Sequence, residues 1–68
     1  MIYRWEATCE FTNVFMQEHG AKRTLVVTGT KEEDAKREVR LLMCRKLGLA
    51  TMFHTYVKIR HITNTGRA

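Results

Sequence analysis

The sequence predicts an α+β domain: a single ββαβ layer, with a three-stranded antiparallel sheet in the order 2-1-3 and one helix packed on one face. Three observations predict it. Residues 3–11 alternate apolar and polar without a break, the period of a half-buried strand. A central segment opens on a capping box and acidic residues and closes on basic residues and a glycine, which frames one helix. Further β-rich segments stand on either side of that helix, and 68 residues make one domain, 1–68, with nothing left for a second layer.

In the first strand Tyr3, Trp5, Ala7, Cys9 and Phe11 share the inward face, and Arg4, Glu6, Thr8 and Glu10 the outward one. Residues 12–21 read as a loop, because the periodicity stops and Asn13 and Gly20 form turns. The second strand is expected over 22–28, with Leu25 and Val27 inward and Thr24, Val26 and Thr28 outward; its β-branched residues suit a pleated, half-buried surface. The helix is expected over 31–47. Thr30 is the N-cap and Glu33 closes the box; Glu32, Glu33 and Asp34 complement the positive end of the helix dipole, and Arg45 and Lys46 the negative end. Ala35, Val39, Leu42, Met43 and Leu47 fall on one arc and should face the sheet.

A connector, 49–54, leads to a third strand over 55–62, with Val57, Ile59 and His61 on one face and Tyr56, Lys58, Arg60 and Ile62 on the other; 64–68 reads as a frayed tail. A loop joins strands one and two, so they are antiparallel, and the helix returns the chain to bring strand three parallel to strand two. Strand one is then central.

Composition narrows the class. The 44% hydrophobic content argues against disorder. Two cysteines and no proline exclude a disulfide-stapled mini-protein. No apolar run has the length of a membrane span, and the first ten residues lack the basic-then-apolar pattern of a signal peptide. The expectation is a cytoplasmic chain with reduced thiols. The charge is uneven: residues 1–21 carry Arg4 against Glu6, Glu10 and Glu18, whereas residues 22–68 carry eleven cations against four anions. Such density draws nucleic acid or an acidic protein surface by long-range steering.

Two surfaces stand out. The outward helix face is expected to carry Arg37, Arg40, Leu41, Cys44 and Arg45, an apolar centre ringed by arginine of the kind enriched at protein interfaces. The open sheet face is expected to carry Arg4, Tyr56, Lys58 and Arg60, cations beside one aromatic, the pairing that small RNA-binding sheets use. The competing reading of that face is cross-strand ion pairing, as of Glu6 with Lys58 or Arg60. Val14, Phe15, Met16, Met52 and Phe53 either cap the ends of the layer or anchor a partner.

Catalysis, metal and cofactors are not expected. Cys9, His19, Cys44, His54 and His61 lack zinc-site spacing, and Glu6 and Glu10 lie on a flat face without the enclosure that acid–base work needs.

The order Arg4-Trp5-Glu6-Ala7-Thr8, a second strand, Thr30-Lys31-Glu32-Glu33-Asp34-Ala35 and the basic run Tyr56-Val57-Lys58-Ile59-Arg60 resembles two small families. One is the archaeal ribosomal protein LX family, and the other the small phage proteins that inhibit host RNA polymerase. The likeness is one of layout, and no functional residue carries over from either. It implies a single-layer sheet with one helix that adds to a large assembly. The expected function is a small non-enzymatic binding protein that docks on a host protein or ribonucleoprotein complex and modulates it. The alternative is a basic RNA-binding accessory subunit of a ribonucleoprotein.

Overall fold

The computed structural model describes residues 1–13 and 18–68, with side chains described for 1–12 and 21–68. The elements follow in the order β1 (Tyr3–Asn13), β2 (Glu18–Gly29), α1 (Glu32–Lys46), a 3₁₀ segment (Thr51–Tyr56) and β3 (Val57–Arg67). The sheet is three-stranded in the order β2-β1-β3, and β1 pairs antiparallel with both neighbours. This is the α+β arrangement that the alternation of β1 and the framed helix predict. Among the described residues no helix is long and apolar enough to cross a membrane.

The inward face of β1 lies where its period places it. Trp5, Ala7, Cys9 and Phe11 are buried with Leu25 and Val27 of β2 and Val57 of β3, against Ala35, Val39 and Met43 of α1. The Trp5 indole is also pinned, its Nε1 donating to the Gly29 carbonyl at 3.0 Å. A buried indole N–H without a partner would be expensive, so this bond lets the largest ring of the chain enter the core.

Four expectations about boundaries and facing are corrected. The 12–21 loop is shorter than expected, because the ladder runs on to the pairs Thr12↔His19 and Asn13↔Glu18. Backbone pairing needs no apolar alternation, and a register shift after Phe11 makes room for Gly20. The tail is not frayed: β3 continues to Arg67, opposite Tyr3. Asn64 Oδ1 accepts from the Gly66 amide at 2.8 Å, Thr65 Oγ1 donates to the Arg4 carbonyl at 3.0 Å, and Gly66 takes φ +119°, which suits glycine. Asn-Thr-Gly is therefore a bulge, not an end.

The third correction follows from a second bulge. Cys9 faces Ile59 but Thr8 faces His61, so Arg60 is an extra residue and the facing reverses after it. Ile62 turns inward against the core and His61 outward, the opposite of the expectation. The fourth concerns the helix start. Lys31, not Thr30, is the N-cap residue, and no side chain caps the amides there. The Thr30 hydroxyl donates instead to Asp34 Oδ2 at 3.2 Å. The other end matches the sequence signal: Gly48 has φ +70°, its amide bonds the Arg45 carbonyl at 3.2 Å, and the Leu49 amide bonds the Cys44 carbonyl at 2.9 Å. That pair of bonds is a Schellman motif.

Candidate interaction surface

The helix face does not carry the expected group intact. Cys44 is fully buried, not outward. The 3₁₀ segment folds back along α1, and its Phe53 packs half-buried against the core. The buried stripe is thereby wider on that flank than a helix lying on a sheet alone would make it. Arg37 is exposed, while Arg40 and Leu41 are half-buried. These three line a recess of about 230 Å³ together with His54 of the 3₁₀ segment. Arg45 lines a different groove, on the β2 side, with Glu38, Leu42 and Val27.

The sheet group is also divided. Tyr56 is not on the open face. It closes the 3₁₀ segment, with its ring edge-on to Phe11 (centroids 6.2 Å apart, 65° between planes) and tilted against Phe53 at 6.2 Å. Phe11 belongs to the helix side, so Tyr56 does too. Arg4 pairs with Thr28 and Gly66, six residues along β1 from Glu10, a span of roughly 20 Å at the rise of a strand. It is not brought near Lys58 and Arg60.

Lys58 and Arg60 do come together, around Glu10. That carboxylate has Lys22 directly across on β2 and Lys58 directly across on β3. Arg60 donates to its Oε2 from Nη2 at 3.2 Å and from Nε at 3.3 Å. Cross-strand ion pairing is thus present, with Glu10 as the acceptor instead of Glu6. A shallow groove of about 610 Å³ runs over this end of the sheet, lined by Glu10, Lys22, Arg23 and Arg60 with Thr8 and Thr24. Three cations border it against one anion.

A further groove of about 590 Å³ lies at the β3 edge, lined by Lys58, Ile59 and Arg60 of β3, by Tyr56 of the 3₁₀ segment and by Arg40 of α1. Arg40 also borders the Leu41–His54 recess. The helix surface and the sheet cations, read from the sequence as two sites, therefore meet at Arg40. His54 is the member that sequence reasoning missed. Only the fold-back of the connector along α1 brings it to Leu41, and no pattern in the sequence signals that fold-back.

Val14, Phe15 and Met16 lie outside the described residues. Of the other two loop apolars, Phe53 packs against the core and Met52 is 72% exposed. Both thiols are free, and burial pushes each above the ordinary thiol range; Arg23 pulls Cys9 partly back. Among the described residues no group of three or more His, Cys, Asp or Glu side chains is placed to hold a metal ion.

Comparison with protein families, curated proteins and solved structures finds no match to this chain.

Proposed function

We propose that this chain is a small non-enzymatic binding protein that docks on an acidic surface of a larger nucleic-acid-handling complex and modulates it. The docking side is where α1, the 3₁₀ segment and β3 meet. The observation that carries the reading is the position of Arg40. It is half-buried, it borders two neighbouring recesses, and it joins Arg37, Leu41 and His54 to Tyr56, Lys58 and Arg60. Arg40 and Lys58 are unpaired within the chain among the described residues, so both are free to meet a partner's carboxylates. An apolar spot between arginines, held on a rigid helix, is the composition of a protein-binding centre.

Protein is favoured over RNA by the placement of the aromatics. Base recognition on a sheet needs rings on the open face, and among the described residues that face carries no Phe, Tyr or Trp. The nucleic-acid-handling class of partner rests on the basic charge and on the resemblance in layout to the two families named above.

The test is capture of partners from lysate, with and without nuclease. A partner retained after nuclease, lost with Leu41→Asp and with Arg40→Glu, and only weakened by the double change of Lys58 and Arg60 to Ala supports the reading. A partner lost on nuclease treatment, abolished by the Lys58/Arg60 change and indifferent to Leu41→Asp, makes the chain an RNA-binding subunit instead. Circular dichroism of each variant separates lost binding from lost folding.

A further inference from the structure

The two edges of the sheet differ. β3 carries bulges at Arg60 and Thr65, and bulges are among the devices that blunt an edge against further pairing. β2 has no bulge over residues 22–29, which stay in unbroken register with β1, and its only charged residues there, Lys22 and Arg23, stand at one end. Among the described residues β2 pairs with β1 alone, so its outer row of N–H and C=O groups has no strand partner there. The stretch Leu25-Val26-Val27-Thr28 has high β-propensity, and Val26 is 52% exposed.

We propose that this edge binds a second copy of the chain: the two β2 strands pair antiparallel about a twofold axis at Val26, extending the sheet to six strands with both helices on the same side. The residue order of β2 fits that operation. With Val26 opposite the second copy's Val26, Leu25 faces Val27, Thr24 faces Thr28, Arg23 faces Gly29 and Lys22 faces Thr30. No cation meets a cation, and β-branched and threonine pairs of this kind stabilise antiparallel neighbours. Each directly opposed pair shares a face, so Leu25 and Val27 of both copies stay on the helix side with the core.

The helix above this edge repeats the symmetry. A groove of about 280 Å³ runs between β2 and α1, lined by Val26, Val27, Thr28, Glu38, Leu42 and Arg45. Leu42 is half-buried at its middle, with Glu38 one turn before it and Arg45 one turn after. Glu38 and Arg45 are unpaired within the chain among the described residues. A twofold at Val26 reverses the second helix, setting Glu38 against the second copy's Arg45, Arg45 against its Glu38, and Leu42 against Leu42. The surface is self-complementary in hydrogen bonding, apolar contact and charge, as an isologous interface must be.

The molar mass of the parent chain in solution, measured by sedimentation across a concentration series, tests this. The expected result is two chains per particle, falling to one on dilution. Val26→Lys sets two lysines against each other on the axis at an exposed position and should give one chain per particle with an unchanged circular dichroism spectrum; Val26→Thr should leave two. Arg45→Glu should shift the particle towards one chain, and the exchange Glu38→Arg with Arg45→Glu should bring two chains back. A parent that stays monomeric to about 1 mM, the weak limit of useful association, overturns the proposal and leaves the edge for a foreign strand. A dimer that survives Val26→Lys overturns it too, because the copies would then meet elsewhere.

Discussion

Arg60 reaches from β3 across to Glu10 on the central strand, with Nη2 and Nε both donating to the carboxylate oxygen Oε2 at 3.2 and 3.3 Å. The bulge that makes Arg60 an extra residue in β3 is the same one that turns Ile62 inward. One irregularity thus serves both the core and the charged face. Glu10 pairs with Arg60 and stands across the ladder from Lys22 and Lys58, so it lowers the positive charge that this end of the sheet presents.

Removing that charge should separate stability from binding. The Arg60 side chain is 57% exposed, and exposed pairs contribute about 0–1 kcal/mol. Glu10→Gln should therefore lower stability in a thermal melt by no more than about 1 kcal/mol. It should also strengthen association with an acidic partner at low salt and steepen its salt dependence, because Arg60 loses its ion-pair partner and the one anion facing Lys22 and Lys58 across the ladder is gone. Weaker association would mean that the partner contacts Glu10 itself.

Trp5→Ala should come close to unfolding the chain. The ring fills the core and anchors β1 to the end of β2 through the Gly29 carbonyl. Large-to-small changes of this kind destabilise by about 3–5 kcal/mol, close to the whole stability that a domain of this size commands. Denaturant titration should show no cooperative transition near the parent midpoint, and the lost bond should make Trp5→Phe measurably destabilising as well.

The layer was legible where one period governs one element. The alternation of β1 gave its inward residues, and the order of strands and helix gave the topology. What was not legible arose where one element covers another. Cys44 looks outward on a helical wheel because the wheel knows only the sheet, and the 3₁₀ segment that packs beside α1 shows no periodicity. Ile62 and His61 were reversed because a bulge is a property of two strands together: nine residues of β1, 3–11, face eleven of β3. The two candidate sites were legible as residue types but not as one surface, since Arg40 joins them only once the connector and β3 are in place.

The helix ends differ in quality, and substitutions there should show it. Gly48 adopts φ +70° with open space where a Cβ would stand, so Gly48→Ala isolates the cost of a left-handed conformation, about 1–2 kcal/mol. At the other end Lys31 offers no cap. Lys31→Asp should stabilise by about 0.5–2 kcal/mol through an acceptor for the free amides. Thr30→Ala should be nearly neutral, because its hydroxyl bonds an exposed carboxylate and not the helix backbone. Melting temperatures of the three variants check all three statements, and a large loss from Thr30→Ala would return the cap to that residue.

The two thiols link stability to alkaline pH. Cys9 is 2% exposed and Cys44 fully buried, and desolvation raises both above the ordinary thiol range. A thiol whose folded value lies above its unfolded value keeps its proton in the fold after the unfolded chain has lost it. Its contribution to stability is whole below the unfolded value, about pH 8.5, and is lost as pH rises from there through the folded value. Melting temperature should therefore fall with rising pH on the alkaline side. The double change of Cys9 and Cys44 to Ala should flatten that fall, from a lower starting stability because it leaves space in the core. The thiolate is the reactive form, so at neutral pH both thiols should resist a thiol reagent in the folded chain and react together when denaturant unfolds it. Rapid labelling of Cys44 in the folded chain would mean that its thiol is not held in the core.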